Sequence, residues 1–368
     1  MGRPAAHASP LTAHLPESTV SGVISPAGGR LDDIPLALPA RPLVSIVIPC
    51  LNEERYITGL LDSLASQDYG ADGIEVLVAD GGSTDRTREL VASYPGSFAR
   101  LDLVDNPKRI TVGGLNAGMD ASRGDCWIII GAHSLVPPDF VRESVQALLR
   151  TGAACVGGPI QTIGEGTVGR AIAAAMSSPF GVGNARFRYA ADEGEVDTVP
   201  FGCYHRRVWE VVGRFDETVD GADEDSYNAR LIEAGGRIVL VPGIRSTYYP
   251  RRTLRALAKQ YHEYGAAKGV LLSRGRPLQP RHFAPAAMVA GGPALLVLGL
   301  GSKWPRRLLK VLAVLYVAGG MTASSRAARK TGANPFLTFA AMATMHASYG
   351  LGFIQGAWRE RRRLAAEG

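Results

Sequence analysis

Acidic and small residues follow two apolar segments near the start of the chain. Asn52 and Glu53 follow the first segment, and the sequence DGGSTD at 80–85 follows the second. The two glycines of DGGSTD allow a ligand to approach the backbone closely, and Asp80 and Asp85 can accept hydrogen bonds from ribose hydroxyls and base nitrogens. The helix predicted next could favour a phosphate at its N-terminus. This pattern fits a nucleotide site, and it also fits a turn that only caps its helix.

A second acidic cluster, DGADED, lies at 220–225 ahead of another predicted helix. Glu224 or Asp225 could act as a general base that takes a proton from an attacking hydroxyl. The same carboxylates could instead stabilise the positive end of their own helix. The residues alone leave both interpretations open.

These polar segments need a scaffold that brings them together. Apolar strand-like runs at 43–49, 75–79, 98–104 and 127–130 alternate with helical spacing at 52–67, 84–93 and 113–122. Continuous apolar strands separated by helices predict an α/β fold with a doubly wound, mostly parallel sheet. Ligands of such sheets bind beyond the carboxyl ends of the strands, where Asn52, Asp80 and the Gly131-Ala132-His133 segment fall.

Charge and hydropathy divide the 368 residues into two parts. The net charge is +6, but residues 251–368 hold 19 basic and three acidic residues, or +16, which leaves −10 for residues 1–250. Segments 283–302 and 331–358 contain no charged residue, and a shorter apolar stretch lies between Lys310 and Arg326. A bilayer core needs about 20 mainly apolar residues. The basic clusters therefore predict a membrane anchor rather than a nucleic-acid surface.

The domain organisation follows from these patterns. We predict a disordered or loosely attached lead at 1–40 without a signal peptide, a catalytic domain at 41–250 and basic, amphipathic interface helices at 251–282. Two or three transmembrane helices at 283–358 and a basic tail at 359–368 complete the chain. Four dispersed cysteines indicate buried thiols in a reducing compartment.

Several enzyme classes have no support in the sequence. No GxGxxG follows the first strand, and neither a GxxxxGK[ST] phosphate loop nor a GxSxG nucleophile turn is present. Dinucleotide-dependent, P-loop and serine-hydrolase chemistry are thus not predicted.

The combination SIVIPCLNEERYITGLLDSL and EVLVADGGSTDRT resembles the family 2 glycosyltransferases, whose nucleotide-sugar-binding domain is of the glycosyltransferase-A type. The resemblance covers roughly residues 43–250 and extends to NPKRITVGGLNAGMDASRGD and PFGCYHRRVWEVVGRFDE. Order and composition are most similar to membrane-associated enzymes that build bacterial exopolysaccharide on a lipid carrier, including the succinoglycan type.

The resemblance implies roles for individual residues. Glu53, Asp80 and Asp85 would hold the nucleoside of the donor, and Lys108 or Arg109 would approach its phosphates, although both cations also fit a solvated loop. The family base lies in a Glu-Asp motif; the spacing to Arg230 leaves the register ambiguous, and we favour Asp225 over Glu224. The residues implied on the acceptor and diphosphate side are Gln260, Tyr261 and Lys268. The alternative for this segment is a surface helix packed against lipid headgroups.

The segment after the predicted strand at 127–130, where family members bind a metal ion, departs from the family pattern. Family members usually carry an Asp-x-Asp-like motif, and the exopolysaccharide branch would have Asp-Ala-His, where this chain has Gly131-Ala132-His133. His133 is the remaining candidate ligand for a divalent cation, Mn²⁺ or Mg²⁺, and imidazole suits Mn²⁺ better. The loss of the carboxylate at Gly131 predicts weaker binding. A structural or phosphate-contacting role for His133 is the alternative.

The resemblance implies an inverting glycosyltransferase of polysaccharide biosynthesis, with a nucleotide-diphosphate sugar as donor and a polyprenyl-linked glycan as acceptor. We expect it at the plasma membrane, with its catalytic domain in the cytoplasm. The alternative is a non-catalytic, membrane-tethered subunit that binds sugar nucleotides or acts as a scaffold, which the substitution at Gly131 favours. The enzyme interpretation requires that the strand ends near residues 53, 80 and 133 share a pocket with Glu224 and Asp225.

Overall fold

A computed structural model describes residues 30–31, 37–218, 223–276 and 278–367. Most of the predicted lead at 1–40, and residues 220–222 of the second acidic cluster, lie outside the described residues. Within the lead, Leu31 is 2% exposed, and its N–H donates a hydrogen bond to the carbonyl of Ala234 at 2.7 Å. This residue is therefore packed against the catalytic domain.

The predicted strands form one side of an eight-stranded sheet with the order β3-β2-β1-β4-β8-β5-β9-β7. Strands β1 to β4 are parallel, β8 is antiparallel to both β4 and β5, and β9 is parallel to β5. A separate parallel pair consists of β6 and β10. The strand bounds are Val44–Cys50 (β1), Ile74–Asp80 (β2), Arg100–Asp105 (β3), Cys126–Ile129 (β4), Cys155–Gly157 (β5), Ile160–Thr162 (β6), Gly194–Glu195 (β7), Cys203–His205 (β8), Ile238–Leu240 (β9) and Ser246–Tyr248 (β10). The predicted mostly parallel α/β sheet is confirmed.

Helices cover both faces of this sheet because its central strands are apolar on both sides. Every residue of β2 is buried. Helix α3 lies close to β1 because Gly118 leaves room for the side chain of Val47. The first eight helices are Ile57–Ala65 (α1), Thr87–Ala92 (α2), Thr111–Ala121 (α3), Phe140–Thr151 (α4), Gly166–Met176 (α5), Pro179–Val182 (α6), Arg206–Val212 (α7) and Asp223–Glu233 (α8). Helices α1, α2 and α3 correspond to the three predicted segments.

Four long helices follow the sheet: Leu254–Ser273 (α9), Pro280–Leu298 (α10), Lys303–Thr331 (α11) and Pro335–Glu367 (α12). Within the described part of the chain, α10 and α11 are the two helices long and apolar enough to cross a bilayer. They form a helical hairpin with the short loop 299–302, and roughly half of the exposed large apolar side chains lie between Phe283 and Val317. An exposed apolar patch of this kind indicates contact with a membrane or another protein.

Helix α12 contains residues 335–358 of the charge-free segment 331–358, yet it packs along α9 and α5. Small residues permit this close approach. A Cβ on Gly352 would clash with the backbone carbonyl of His262, and a Cβ on Gly265 would clash with that of Tyr349. The spacing Gly-x-x-x-Gly occurs on both helices, at 265–269 and 352–356, so the two backbones are in direct contact. The charge-free part of α12, residues 335–358, therefore packs against protein.

We expect Gly352→Ala to lower the stability of the full-length protein, because the added methyl group meets a backbone carbonyl that cannot move without separating α9 from α12. Overpacking of this kind costs about 1–3 kcal/mol. The matched control is Gly291→Ala, since a Cβ there meets nothing within 4 Å. Thermal unfolding in detergent measures both variants. Equal melting temperatures for Gly352→Ala and the wild type would contradict the close packing.

Candidate active site

The first acidic segments meet at the carboxyl edge of the sheet. Strands β1 and β2 pair so that Cys50 lies opposite Asp80, which places the residues after each strand side by side. The N–H of Asn52 donates to Ser83 Oγ at 2.8 Å, and Asn52 Oδ1 accepts from the N–H of Thr84 at 2.9 Å. Asn52 has a positive φ of 57°, a conformation that asparagine tolerates better than most residues. The two segments thus form one rigid loop pair.

Asp80 organises the turn that follows β2. It is 1% exposed and accepts hydrogen bonds from the N–H of Gly82 at 3.1 Å and from Arg88 Nη1 at 2.7 Å. Burial opposes ionisation of Asp80, but hydrogen bonds from Ser83 and Arg88 outweigh burial and lower its pKa. Asp80 is therefore a fixed anion at neutral pH.

Asp85 faces the start of α2 and the loop after β1. It accepts hydrogen bonds from the N–H of Thr87 at 3.0 Å and from the N–H of Glu54 at 3.1 Å. Partial desolvation opposes ionisation of Asp85, but these bonds and that from the Thr87 hydroxyl lower its pKa. The cap role considered for this turn is thus present in Asp85, which also joins the two loops.

His133 lies beside Glu53. Its Nδ1 is 3.3 Å from Glu53 Oε1, and 62% of its side chain is exposed. A Cβ on Gly131 would approach only Ser134 Oγ, at 3.5 Å, so a larger side chain fits at Gly131. Among the described residues there is no group of three or more histidine, cysteine or acidic side chains that could hold a metal ion.

The two predicted phosphate-binding cations point in different directions. Arg109 has a positive φ of 58° and lies at the DGGSTD turn. Its Cζ is 3.9 Å from the point that a Cβ would occupy if Gly82 were replaced by a larger residue. Lys108 forms an ion pair with Glu217, which also accepts from Asn116 Nδ2 at 2.8 Å. Arg109 is thus adjacent to the turn, and Lys108 is engaged elsewhere.

Glu224 and Asp225 lie in the first turn of α8 and line a cavity of about 1150 Å³. The same cavity is lined by Ile129 at the end of β4 and by Thr111 and Leu115 of α3. The cavity therefore reaches from the second acidic cluster to the edge of the sheet at the end of β4, and its lining does not include Glu53, Asp80 or His133. The geometry of β1, β2 and β4 sets Glu53, Asp80 and His133 along that edge.

Asp225 has a basic partner that the sequence did not reveal. It forms an ion pair with Lys268 of α9, whose side chain is only 8% exposed. Burial opposes ionisation of Asp225, but the charge and hydrogen bond of Lys268 outweigh it and lower the pKa of Asp225. Asp225 is ionised at neutral pH, as a general base must be.

The two other residues predicted on α9 have different surroundings. Tyr261 lines the cavity. Gln260 Nε2 donates to the hydroxyls of Tyr248 and Tyr264, at 2.9 Å each, and Gln260 Oε1 is buried without a hydrogen-bond partner. Gln260 therefore positions Tyr264, which lines the cavity itself and which sequence reasoning missed.

Arg188 is a second residue that sequence reasoning missed. It lines the cavity, and its guanidinium lies 5.2 Å from the ring centroids of both Phe187 and Tyr248. Arg281 lines the same cavity but is paired with Asp197. Within the described ranges, no ion pair joins Arg188 to a carboxylate. The signal in the sequence was the alternation of Arg and aromatic residues at 186–189.

A parallel sheet with an acid-rich carboxyl edge, extended by an antiparallel strand and by a carboxylate-lined cavity, defines a glycosyltransferase-A type fold. A solved structure shares this architecture: the mannosyltransferase PcManGT of Pyrobaculum calidifontis in complex with GDP-Man and Mn²⁺. It is 21% identical, the match covers 87% of this chain and 88% of that chain, and the TM-score is 0.56.

Sequence comparisons give the family. Residues 45–210 match the model for glycosyl transferase family 2. The succinoglycan biosynthesis protein ExoA of Rhizobium meliloti is 32% identical over 332 residues, which cover 87% of this chain and 96% of that protein. A dolichyl N-acetyl-alpha-D-glucosaminyl phosphate 3-beta-D-2,3-diacetamido-2,3-dideoxy-beta-D-glucuronosyltransferase of Methanococcus voltae is 32% identical over 240 residues, which cover 63% of this chain and 74% of that enzyme. The chain belongs to the family 2 glycosyltransferases.

Proposed function

We propose that this enzyme transfers a sugar, with inversion, from a nucleoside diphosphate sugar to a glycan on a polyprenyl-linked carrier at the cytoplasmic face of the plasma membrane. The observation that carries the proposal is the cavity that Glu224 and Asp225 line, which reaches Ile129 at the carboxyl end of β4. The named activities of the relatives, one in succinoglycan biosynthesis and one on a dolichyl-linked sugar, support the polysaccharide pathway and the lipid carrier.

In the proposed reaction, an acceptor hydroxyl oxygen attacks the anomeric carbon as the bond from that carbon to the diphosphate oxygen breaks. Asp225 takes the hydroxyl proton, and the nucleoside diphosphate leaves with the electron pair. Glu224 is the alternative base, since it lines the same cavity. Lys268 keeps Asp225 ionised until the acceptor hydroxyl arrives.

The donor would lie along the carboxyl edge. Glu53, Asp80 and Asp85 would orient its nucleoside, with Asp80 and Asp85 acting largely through the loops that they hold in place. Arg109 beside Gly82 would meet the phosphates, whereas Lys108 would contribute only if it left Glu217. On the acceptor side, Tyr261 would contact the sugar together with Tyr264, which Gln260 holds in position. Arg188 would offer positive charge to a phosphate.

The side chains at the end of β4 suit a weakly held divalent cation. His133 has an exposed imidazole next to the Glu53 carboxylate, and the donor's diphosphate would supply further oxygen ligands. Mn²⁺ fits this mixed set better than Mg²⁺, which prefers oxygen ligands only. When bound, the cation would neutralise charge on the departing diphosphate.

We expect Gly131→Asp to strengthen cation and donor binding, because it restores a carboxylate where the family usually has one and because the site has room for it. The apparent affinity for Mn²⁺ should rise by about tenfold or more, a gain of about 1.4 kcal/mol. Titration of Mn²⁺ in the presence of the nucleoside diphosphate measures it. Gly131→Asn is the matched control, since it has the same shape without the charge. If both variants bind Mn²⁺ like the wild type, the cation does not lie at this position.

The central experiment uses full-length protein in nanodiscs. Thermal shifts with a panel of nucleoside diphosphates, each with and without Mn²⁺ and Mg²⁺, report donor base and cation need, since a ligand of the folded state raises its stability. Transfer of radiolabelled sugar to lipid extract then tests catalysis. Binding without transfer by the wild type, under conditions that support a lipid-linked acceptor, would favour the scaffold alternative.

A further inference from the structure

The cavity continues from the acid pair into the α10–α11 hairpin. On α10 its wall includes Met288 and Leu295, and on α11 it includes Leu309 and Leu312. From Ala284 to Leu295 the groove follows twelve residues of helix, or about 17 Å. Pockets for small ligands are typically about 300–1,000 Å³, so the volume of about 1150 Å³ is more than a single small ligand needs.

The groove between these helices has almost no polar groups. From Ala284 onward, its lining from α10 and α11 carries one polar side-chain atom, the Tyr316 hydroxyl, which is 2.8 Å from His346 Nδ1. A glycan inside this groove would leave its hydroxyls without hydrogen-bond partners, which is costly. A hydrocarbon chain has no such cost. The lining chemistry thus selects a lipid tail over a sugar chain.

The groove is also open to its side. Met288 is 38% exposed and Leu312 is 47% exposed, although both line the cavity. Since α10 and α11 are the helices suited to a bilayer, this opening faces the environment from which a membrane lipid would enter. The cavity is also lined by Lys268 and Arg281, which are paired with Asp225 and Asp197. Arg188 lines it too and forms no ion pair within the described residues, so its charge is the one available to a phosphate.

We propose that the α10–α11 groove binds the isoprenoid chain of the lipid-linked acceptor and thereby sets its glycan against Asp225. The proposal rests on the function proposed above and adds the site for the carrier's tail. The glycines at 291 and 292 line the groove, and a Cβ on either meets nothing within 4 Å. They keep the groove open where any larger side chain would enter it.

The test uses full-length protein in nanodiscs with a polyprenyl diphosphate that carries a diazirine at its chain end. We expect peptide mapping to find labels within 284–313, and a short-chain diphosphate should compete poorly. Gly292→Leu should weaken labelling by about tenfold or more, as added methylene groups do in an apolar pocket. Gly301→Leu is the control, because Gly301 lies on the same hairpin, has open space around it and does not line the cavity.

Labels spread evenly over outward-facing residues such as Val314 and Leu296, or equal labelling by a diazirine phospholipid, would overturn the proposal. The proposal would also be overturned if Gly292→Leu were labelled as strongly as the wild type. This variant must still show the wild-type thermal shift with a nucleoside diphosphate, which shows that it is folded. The probe carries no sugar, and labelling needs no donor. Groove labelling without sugar transfer would therefore count against the proposed function alone, and transfer without groove labelling would count against this inference alone.

Discussion

Asp225→Asn is expected to lower kcat by about 10²–10⁴-fold, the usual contribution of a positioned general base. Asparagine keeps the shape of the side chain in the cavity but cannot take the acceptor's proton. Nucleoside diphosphate binding should be unchanged, because Asp225 lies on α8, whereas the loops proposed to bind the donor follow β1 and β2. Initial rates of sugar transfer, together with thermal shifts by the nucleotide, measure the two effects separately.

Two comparisons make the Asp225→Asn result specific. Glu224→Gln alters the neighbouring carboxylate that lines the same cavity, and we expect a much smaller loss of kcat. The double variant Asp225→Asn with Lys268→Met removes both members of the ion pair, so that no unpaired charge remains, and separates lost catalysis from lost stability. A large loss in Glu224→Gln with near-normal rates for Asp225→Asn would move the base to Glu224.

Lys268→Met should make the reaction sensitive to mild acid. In the wild type, burial opposes ionisation of Asp225 but Lys268 outweighs it, so the pKa of Asp225 lies below its ordinary value and the base stays deprotonated at pH 5–8. Without Lys268 only the weaker effects of His282 and Arg281 oppose burial, and the pKa of Asp225 rises. The variant should lose kcat/KM as pH falls through that raised pKa, by about tenfold per pH unit below it.

The control for this pH profile lies on the same helix. Lys259→Met removes an exposed lysine whose nearest carboxylate is Glu263, at 3.9 Å, and we expect a wild-type profile from it. Rates from pH 5 to pH 8, with stability checked at each pH, give the comparison. An acid limb at the same pH in Lys268→Met and in the wild type would show that Lys268 does not set the ionisation of the base.

The donor side of the fold could be predicted from local sequence. Strands β1, β2 and β4 are short, continuous apolar runs, and parallel pairing at one edge follows from the alternation of strands with helices. That pattern was enough to place Asn52, Asp80 and His133 on one side of the sheet. The details of Asp80, with Arg88 and two backbone N–H groups around it, depend on the turn and were not predictable.

The surroundings of the long C-terminal helices could not be predicted from local sequence. Segment 331–358 lacks charge as a membrane span does, but the glycines of α9 and α12 make the two backbones interlock. An apolar segment is stabilised when it is removed from water, and either a lipid bilayer or a protein interior can bury it. Among the described helices, α10 and α11 are long and apolar enough to cross a bilayer, whereas α12 packs along α9.

By itself the sequence determined the α/β class, the acid-rich loops and the apolar character of the C-terminal third. It also determined the two alternative general bases, Glu224 and Asp225. All of these depend on residues close together in the chain. The tertiary structure decided that Lys268 neutralises Asp225 across 43 positions, that Arg188 faces the same cavity, and that the cavity extends into the hairpin. These contacts join distant segments, and their energies depend on burial and distance, which no local pattern of residues encodes.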